Sequence, residues 1–328
     1  MARVIRLHRH GGPEVLAVET LPDTPPRPGE VRIRHQAIGV NFTDVHGRRG
    51  DYAELAAAPK PVGIGIEAMG TVEVLGDGVT RLAVGDRVAY ASRPLGAYCD
   101  GRNYPASLCA KVPDGIANEV VAASFLKGMT VEYLIRRTYA VKAGDTVVFH
   151  AAAGGVGLLA GQWLKAIGAH AVGIVGSPEK SAVALKAGYA KVFVHGRDDW
   201  PAAVRKLTGG RGVPAVFDSV GQATWEGSIA CLAPRGHMVC FGNSSGLVPP
   251  ISVNLLRDRG SLWVTWTRLN EYTETVAELD ICAATFFDML RSGQVKPDIH
   301  RTFPLDDAAG AHRLLESRQT TGSLVLIP

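Results

Sequence analysis

The chain has 328 residues, of which 46% are hydrophobic and 20% charged, with a net charge of +4. That length is enough for two domains with ample core, and a mild charge without like-charge runs or a basic–aromatic stripe does not indicate nucleic acid. Five cysteines, scattered at 99, 109, 231, 240 and 282, argue against a disulfide framework and for a reducing compartment.

Arg3, Arg6 and Arg9 are followed by no apolar h-region, so a secretory signal is not expected. The most apolar stretch, Ala151 to Gly161, is too short and glycine-rich to span a bilayer. The expected location is cytoplasmic.

Residues 1 to about 125 read as short strands. Val4 to His8, Val31 to Ala37, Thr71 to Leu75 and Asp86 to Ala91 alternate or cluster apolar residues between Gly, Pro and Asp turns, the pattern of a compact β barrel or sandwich. Gly11-Gly12-Pro13-Glu14-Val15-Leu16 reads as a turn between the first two strands. Pro113-Asp114-Gly115 ends the β region, and two helical stretches follow, Asn118 to Ala123 and Gly128 to Arg136.

From Thr146 onward strands alternate with helices. The expected strands are Thr146–Phe149, Ala171–Val175, Lys191–Val194, Ala215–Asp218, His237–Phe241 and Leu262–Thr265. Among the helices between them are Glu179–Ala187 and one opening at Trp200-Pro201 with Asp199 as its cap. Six strands so arranged predict a doubly wound parallel sheet. The last segment predicts a helix near Thr275–Arg291, a strand at Ile299–Phe303, a helix at Asp306–Glu316 and a strand at Ser323–Ile327.

The run from Thr146 to Lys165 is a buried strand, a turn of small residues, then a helix. In that order the turn suits a dinucleotide. Gly154 admits a pyrophosphate close to the backbone, Gly157 lets the helix pack on the strand, and the free amides and dipole at the helix start favour phosphate. The first glycine of the usual G-x-G-x-x-G is replaced by Ala152.

In NAD-binding turns an acidic residue about 20 positions on holds the ribose 2′-hydroxyl. Here that position is Gly176 or Ser177, which repels no phosphate, and Lys180 stands one turn further along. Its ammonium can neutralise a 2′-phosphate. The expected cofactor is NADPH. Glu179 opens the helix, and its carboxylate is expected to lie along the helix start.

The same residues carry a resemblance that runs the length of the chain. His10 to Leu16, Ala37 to Asp44, Ala122 to Thr130, His150 to Gly157, Asp218 to Gly221, Phe241 to Gly246 and Glu316 to Arg318 are similar to motifs of the medium-chain dehydrogenase/reductase superfamily. Within it the chain resembles the quinone oxidoreductases related to zeta-crystallin, above all the bacterial NADPH:quinone reductases. The resemblance implies an α/β protein with a GroES-like β-rich catalytic domain at residues 1–125 and 268–328. It also implies a six-stranded Rossmann NADPH-binding domain at 126–267, with hydride transfer to a quinone in the cleft between the two.

By match to the family, Asn41 lies near the nicotinamide, and Lys127 and Thr130 reach the nicotinamide–ribose–phosphate region. Gly154, Gly155, Val156 and Gly157 cradle the pyrophosphate, while Ser177 and Lys180 take the 2′-phosphate. Ser219, Phe241, Gly242, Asn243 and Ser244 line the adenosine-to-nicotinamide track, and Arg318 closes on the cofactor. His195 stands where the family often has tyrosine, and an imidazole can still stack or bond at that adenosine end.

The alcohol-dehydrogenase branch of the superfamily holds zinc with Cys, His and Glu or Cys ligands. This chain has Asn41 at the place of the first Cys and Ile66 in Gly65-Ile66-Glu67 at the place of the His. Catalytic zinc needs three protein ligands, so no metal is expected. Glu67 reads as a carboxylate that structures the site, and Asp44 as structural.

A metal-free site suits a quinone, which accepts hydride readily and needs positioning more than acid catalysis. Asn41 is the firmer catalytic candidate, since its amide can bond a ribose hydroxyl or the quinone oxygen. Tyr52 is the other, placed to cover the ring or donate a proton. A zinc-independent enoyl or 2-alkenal reductase is the alternative within enzymes. An NADPH-binding regulatory or RNA-binding protein is the alternative of another class. The apolar run Gly260 to Trp266 would be the sheet's edge, and such an edge invites pairing, so a homodimer is expected.

Overall fold

The computed structural model describes residues 1–51, 56–57, 59–317 and 319–328. It divides into two compact units. One comprises Met1–Leu126, Thr273–Arg291 and Pro297–Pro328; the other comprises Lys127–Tyr272 and Ser292–Lys296.

The first unit is built on strands β1 (Ala2–Leu7), β2 (Leu16–Leu21), β3 (Glu30–Val40), β4 (Val62–Gly63), β5 (Glu67–Leu75), β6 (Arg87–Ala91), β7 (Gly101–Pro105) and β8 (Ala110–Lys111). A short 3-10 turn, Pro13–Val15, joins β1 to β2. The C-terminal segment returns to add β15 (Ile299–Pro304) and β16 (Ser323–Ile327). A small sheet runs β2-β1-β4, and a larger one runs β15-β16-β3-β5-β6-β8 with β7 on β3. β16 lies antiparallel to β3, with Leu326 opposite Ile38 and Leu324 opposite Val40. The two ends of the chain therefore share one core, in which Ile33, Ile38, Val72, Tyr90, Leu305, Leu324 and Leu326 are buried together.

β3 is the spine of this unit. Its alternate residues Val31, Ile33 and His35 point inward, and from Ala37 to Val40 every residue is buried. Gly39 lies in that stretch for a packing reason. A Cβ there would sit 2.3 Å from both the Ala122 carbonyl and Glu67 Oε2. Only a glycine lets the strand run that close to a helix backbone and a buried carboxylate.

In the second unit β9 (Thr146–His150), β10 (His170–Val175), β11 (Lys191–Val194), β12 (Val213–Asp218), β13 (Leu232–Cys240) and β14 (Trp263–Trp266) form one sheet in the order β11-β10-β9-β12-β13-β14. Every pairing is parallel. Helices Gly155–Ile167, Glu179–Lys186, Trp200–Leu207, Trp225–Cys231 and Val253–Asp258 fill the crossovers. The six expected strands are thus present, each within two residues of its expected bounds except β13, which begins earlier, at Leu232. Asp199 caps the helix at Trp200, accepting from Ala202 N at 3.3 Å. Parallel strands with both faces covered lose their polar alternation, and Val147, Val148 and Phe149 are all fully buried.

Residues 118–123 and 128–136, the two stretches of helical spacing, are both helical and belong to one element. A single helix spans Asn118–Tyr133 and runs on as a π turn over Leu134–Thr138. Its middle is buried on nearly every side, from Val121 to Phe125 and again at Gly128 and Met129. No polar face marks its continuity, so the apolar spacing breaks where the helix does not.

Candidate functional site

In the second unit, strand order reverses at β9, whose neighbours β10 and β12 lead away in opposite directions. Open α/β sheets bind ligands beyond the carboxyl ends of the strands at such a switch point. The loop after β9 begins with Ala151 in the left-handed region at φ 50°, an uncommon conformation for a residue with a side chain. It carries the chain to Gly154, the N-cap of helix Gly155–Ile167.

That helix has no side-chain cap and no acidic residue in its first turn. Its first intrahelical bond runs from Leu158 N to Gly154 O at 2.8 Å. The amides of Gly155, Val156 and Gly157 precede it and are the donors a helix start offers an anion. Gly157 is fixed by contact: a Cβ would lie 2.3 Å from the Ala151 carbonyl and 2.7 Å from Ala152 Cα. Ala152, where the motif usually has glycine, is itself fully buried.

The loop after β12 faces the same switch point. Asp218, buried at the end of that strand, shapes it. Its Oδ1 accepts from Val220 N at 2.7 Å and Gly221 N at 3.1 Å, and its Oδ2 from Thr224 Oγ1 at 2.7 Å and Ser228 Oγ at 3.0 Å. Ser219 is held at the head of this turn, and its carbonyl accepts Ser244 N at 3.2 Å. Gly242 runs so close that a Cβ would meet the same carbonyl at 2.8 Å. Ser219, Gly242, Asn243 and Ser244 are therefore brought together, with Phe241 immediately after β13. Asp218 stands in the Asp218–Gly221 motif, but four hydrogen bonds to one buried carboxylate have no signature in sequence.

At the end of β10, Gly176 opens onto free space, and Ser177 and Lys180 are half-buried. Glu179 folds back as expected: the Ser177 hydroxyl, then its own backbone amide, hold its carboxyl below the usual range. His195 is tied to the end of β10 through its amide on the Val175 carbonyl at 2.9 Å, and its Nδ1 is buried without a partner among the described residues. An orphaned buried nitrogen is a group awaiting a ligand or water. Lys127 and Thr130 are half-buried, three residues apart on one face of their helix. These residues fit a dinucleotide phosphorylated at the 2′-position.

In the first unit the site residue is Asn41. It is buried, ends β3 and caps helix α1 (Phe42–Arg49) in a capping box with Asp44, whose Oδ2 accepts Asn41 N at 2.8 Å. Asn41 Nδ2 donates to Glu67 Oε2 at 2.7 Å, and Glu67 Oε1 accepts Leu126 N at 2.6 Å. Because a carboxylate only accepts, the amide nitrogen and not the oxygen must face it. Tyr52 and Arg318 lie outside the described residues.

The zinc positions hold a different set. Asn41 and Ile66 are not zinc ligands of the expected kind, and both Glu67 oxygens already accept amide donors. No group of three or more His, Cys, Asp or Glu able to hold a metal occurs among the described residues. The five cysteines are free and buried.

Two family models match the chain: an alcohol dehydrogenase GroES-like domain over residues 27–143 and a zinc-binding dehydrogenase over residues 155–280. The chain is 44% identical to a quinone oxidoreductase of Pseudomonas aeruginosa, with all of both chains covered. It is 41% identical to a 2-haloacrylate reductase of a Burkholderia species, covering 100% of this chain and 99% of that protein. Among solved structures, the Escherichia coli quinone oxidoreductase complexed with NADPH superposes with a TM-score of 0.94 at 45% identity, with both chains fully covered.

Proposed function

The chain belongs to the quinone oxidoreductases of the medium-chain dehydrogenase/reductase superfamily, and from that premise we propose that it reduces quinones with NADPH. The observation that carries this reading is the switch point. The Gly154–Gly157 amides and the Ser219 and Gly242–Ser244 loops converge on the carboxyl ends of β9, β12 and β13.

In this reading the helix start holds the pyrophosphate, and the dipole of Gly155–Ile167 favours its charge. Lys180 and Ser177 take the 2′-phosphate, the Ser177 hydroxyl turning to it from the Glu179 carboxylate and the Lys180 ammonium offsetting both charges. His195 Nδ1 meets the adenosine end. Lys127 and Thr130 address the nicotinamide–ribose–phosphate region. When bound, the nicotinamide supplies a hydride. Asn41 orients the acceptor or a ribose hydroxyl with the amide N–H that Glu67 leaves over.

We further propose that the reaction needs no metal. Asn41 and Ile66 occupy the zinc positions and Glu67 is committed to Asn41 and Leu126, so no step runs through a Lewis acid. Stoichiometric zinc in the purified protein would count against this. The exposed edge strand β14 supports a homodimer. Five free, buried cysteines support a reducing, cytoplasmic setting, and no helix among the described residues is long and apolar enough to cross a membrane.

A second reading rests on the 2-haloacrylate reductase at 41% identity. Both acceptors are conjugated carbonyl systems, and both take hydride without zinc in this scheme. NADPH oxidation assayed with 1,4-benzoquinone, 9,10-phenanthrenequinone, a 2-alkenal and 2-chloroacrylate, with NADH as control, separates the two. Turnover confined to the alkenal or the acrylate would move the assignment to an alkene reductase. No turnover with any acceptor, together with salt-sensitive RNA binding, would favour a binding protein instead.

A further inference from the structure

Behind Asn41 lies a chain of buried polar groups that the reductase reading does not use. Asp44 Oδ2, which accepts the Asn41 main-chain N–H, also accepts the Tyr98 hydroxyl at 3.0 Å. Tyr98 Oη lies 3.1 Å from His312 Nε2, and His312 Nδ1 lies 3.4 Å from Arg48 Nη1. Arg48 is clasped by Glu316 through two bonds of 2.8 and 2.9 Å. Asp44 is 2% exposed, and Tyr98, His312 and Arg48 are each 0% exposed.

The donors in this chain all run one way. Arg48 has no acceptor to offer, so His312 Nδ1 must accept. The proton of a neutral His312 is then on Nε2, and it donates to Tyr98. Tyr98 spends its own proton on Asp44, which as a carboxylate accepts it together with the Asn41 main-chain N–H. Burial, followed by the charge of Arg48, pushes the His312 pKa down to about 3, and burial raises that of Tyr98. Both groups therefore keep these protonation states across the neutral range. The Arg48 contact on one side of the His312 ring and the Tyr98–Asp44 bond on the other require the same Nε2–H tautomer, which independent core contacts have no reason to do.

Such an array is an expensive way to fill a core. Apolar residues of similar volume are commonly as stable or more so than a buried polar set, and this one leaves Arg48 Nε buried without a hydrogen bond among the described residues, yet its bonded links specify one arrangement. This one ends at the main-chain N–H of Asn41, whose side chain is fixed separately by Glu67. We propose that Tyr98, His312 and Arg48 are positioning residues that act through Asp44 to hold Asn41 in place for reduction of the acceptor.

This inference rests on the assignment of Asn41 to the reaction, and its test separates the two. Tyr98→Phe keeps the ring and removes the relay proton. In the full-length enzyme it is expected to lower kcat about tenfold, as small displacements of a reacting group do. The Kd for NADPH should stay within about twofold of the parent. In an Asn41→Ala background the same substitution should change kcat by less than about twofold, because coupled residues are not additive. His312→Gln should repeat the pattern. An unchanged kcat in Tyr98→Phe, or losses that multiply in the double variant, would overturn the proposal. Long-range proton–nitrogen NMR of the His312 ring needs no turnover and reads the donor chain directly. It should show the Nε2–H tautomer, and the Nδ1–H tautomer would overturn the chain whatever becomes of the reductase reading.

Discussion

Glu67 and Asn41 meet at 2.7 Å through Oε2 and Nδ2, with Glu67 wholly shielded from solvent. The other Glu67 oxygen takes Leu126 N at 2.6 Å, so both face N–H donors. Glu67→Gln preserves the shape and replaces one acceptor with an NH2 group. A donor then faces a donor in a dry site, at a cost of about 1–3 kcal/mol. The variant is expected to unfold at lower urea concentration and to lose turnover, because Asn41 must rotate away. An unfolding midpoint and kcat equal to the parent's would show that the pairing does not fix Asn41.

Acid should weaken the fold well before the carboxylates titrate. Burial pushes His35 down to about 4 and His312 down to about 3, from an unperturbed 6.5. Below pH 6.5 the unfolded chain takes up protons that the folded chain refuses. Stability is therefore complete above that pH and falls as the pH drops towards 4. Each histidine contributes a slope of up to about 1.4 kcal/mol per pH unit. Urea midpoints measured at pH 7, 6 and 5 should decline, and a flat series would mean that these two rings open to solvent readily.

Much of the second unit was legible because its physics is local. A buried parallel strand shows as an unbroken apolar run such as Val147-Val148-Phe149, and a turn of small residues before a helix shows in Ala153 to Gly157. What was not legible is contact between residues far apart in the chain. Tyr98 and His312 are 214 positions apart, and nothing around either names the other. Asp44 read as structural because three residues from Asn41 is a capping distance, which it fulfils. Its second bond, to Tyr98, depends on how helix α1 and the connection between β6 and β7 pack in three dimensions. Helix Asn118–Tyr133 shows its spacing at both ends, and its continuity between them is not legible for the opposite reason, since its middle lacks a solvent face to give it a period.

Gly157→Ala is expected to abolish tight cofactor binding. The added methyl would sit 2.3 Å from the Ala151 carbonyl and 2.7 Å from the Ala152 Cα, and both are backbone atoms that a rotamer change cannot move. The loop must shift, and with it the amides of Gly155 and Val156. Calorimetric titration with NADPH should show affinity reduced by more than about tenfold, the loss expected when charge-assisted bonds to phosphate are misdirected. Unaltered affinity would place the pyrophosphate elsewhere.

Cofactor choice should reside in Lys180. The turn at Gly176 and Ser177 has no acid to grip a ribose 2′-hydroxyl, and Glu179 is occupied with the Ser177 hydroxyl and its own amide. Lys180→Ala should raise the Kd for NADPH about tenfold, as loss of a charge-assisted bond does, and leave that for NADH unchanged. Quenching of protein fluorescence by each reduced cofactor measures both. Equal losses for the two would assign Lys180 to general stability and not to the phosphate.

The edge strand β14 carries the last prediction. Among the described residues it pairs with β13 on one side only, and Trp263 and Trp266 at its ends are 66% and 46% exposed. An exposed apolar edge offers unpaired amides and carbonyls beside large greasy side chains, a template for a second strand. Twofold pairing of β14 with itself would continue the sheet through a symmetric interface and cover all four tryptophans. Light scattering of the purified protein should therefore give the mass of two chains. Trp263→Lys together with Trp266→Lys should give one, since two desolvated ammonium groups on each edge oppose pairing. Circular dichroism should be retained in that variant, because neither side chain is buried in the unit's core. A dimer that survives both lysines would locate the interface on another face.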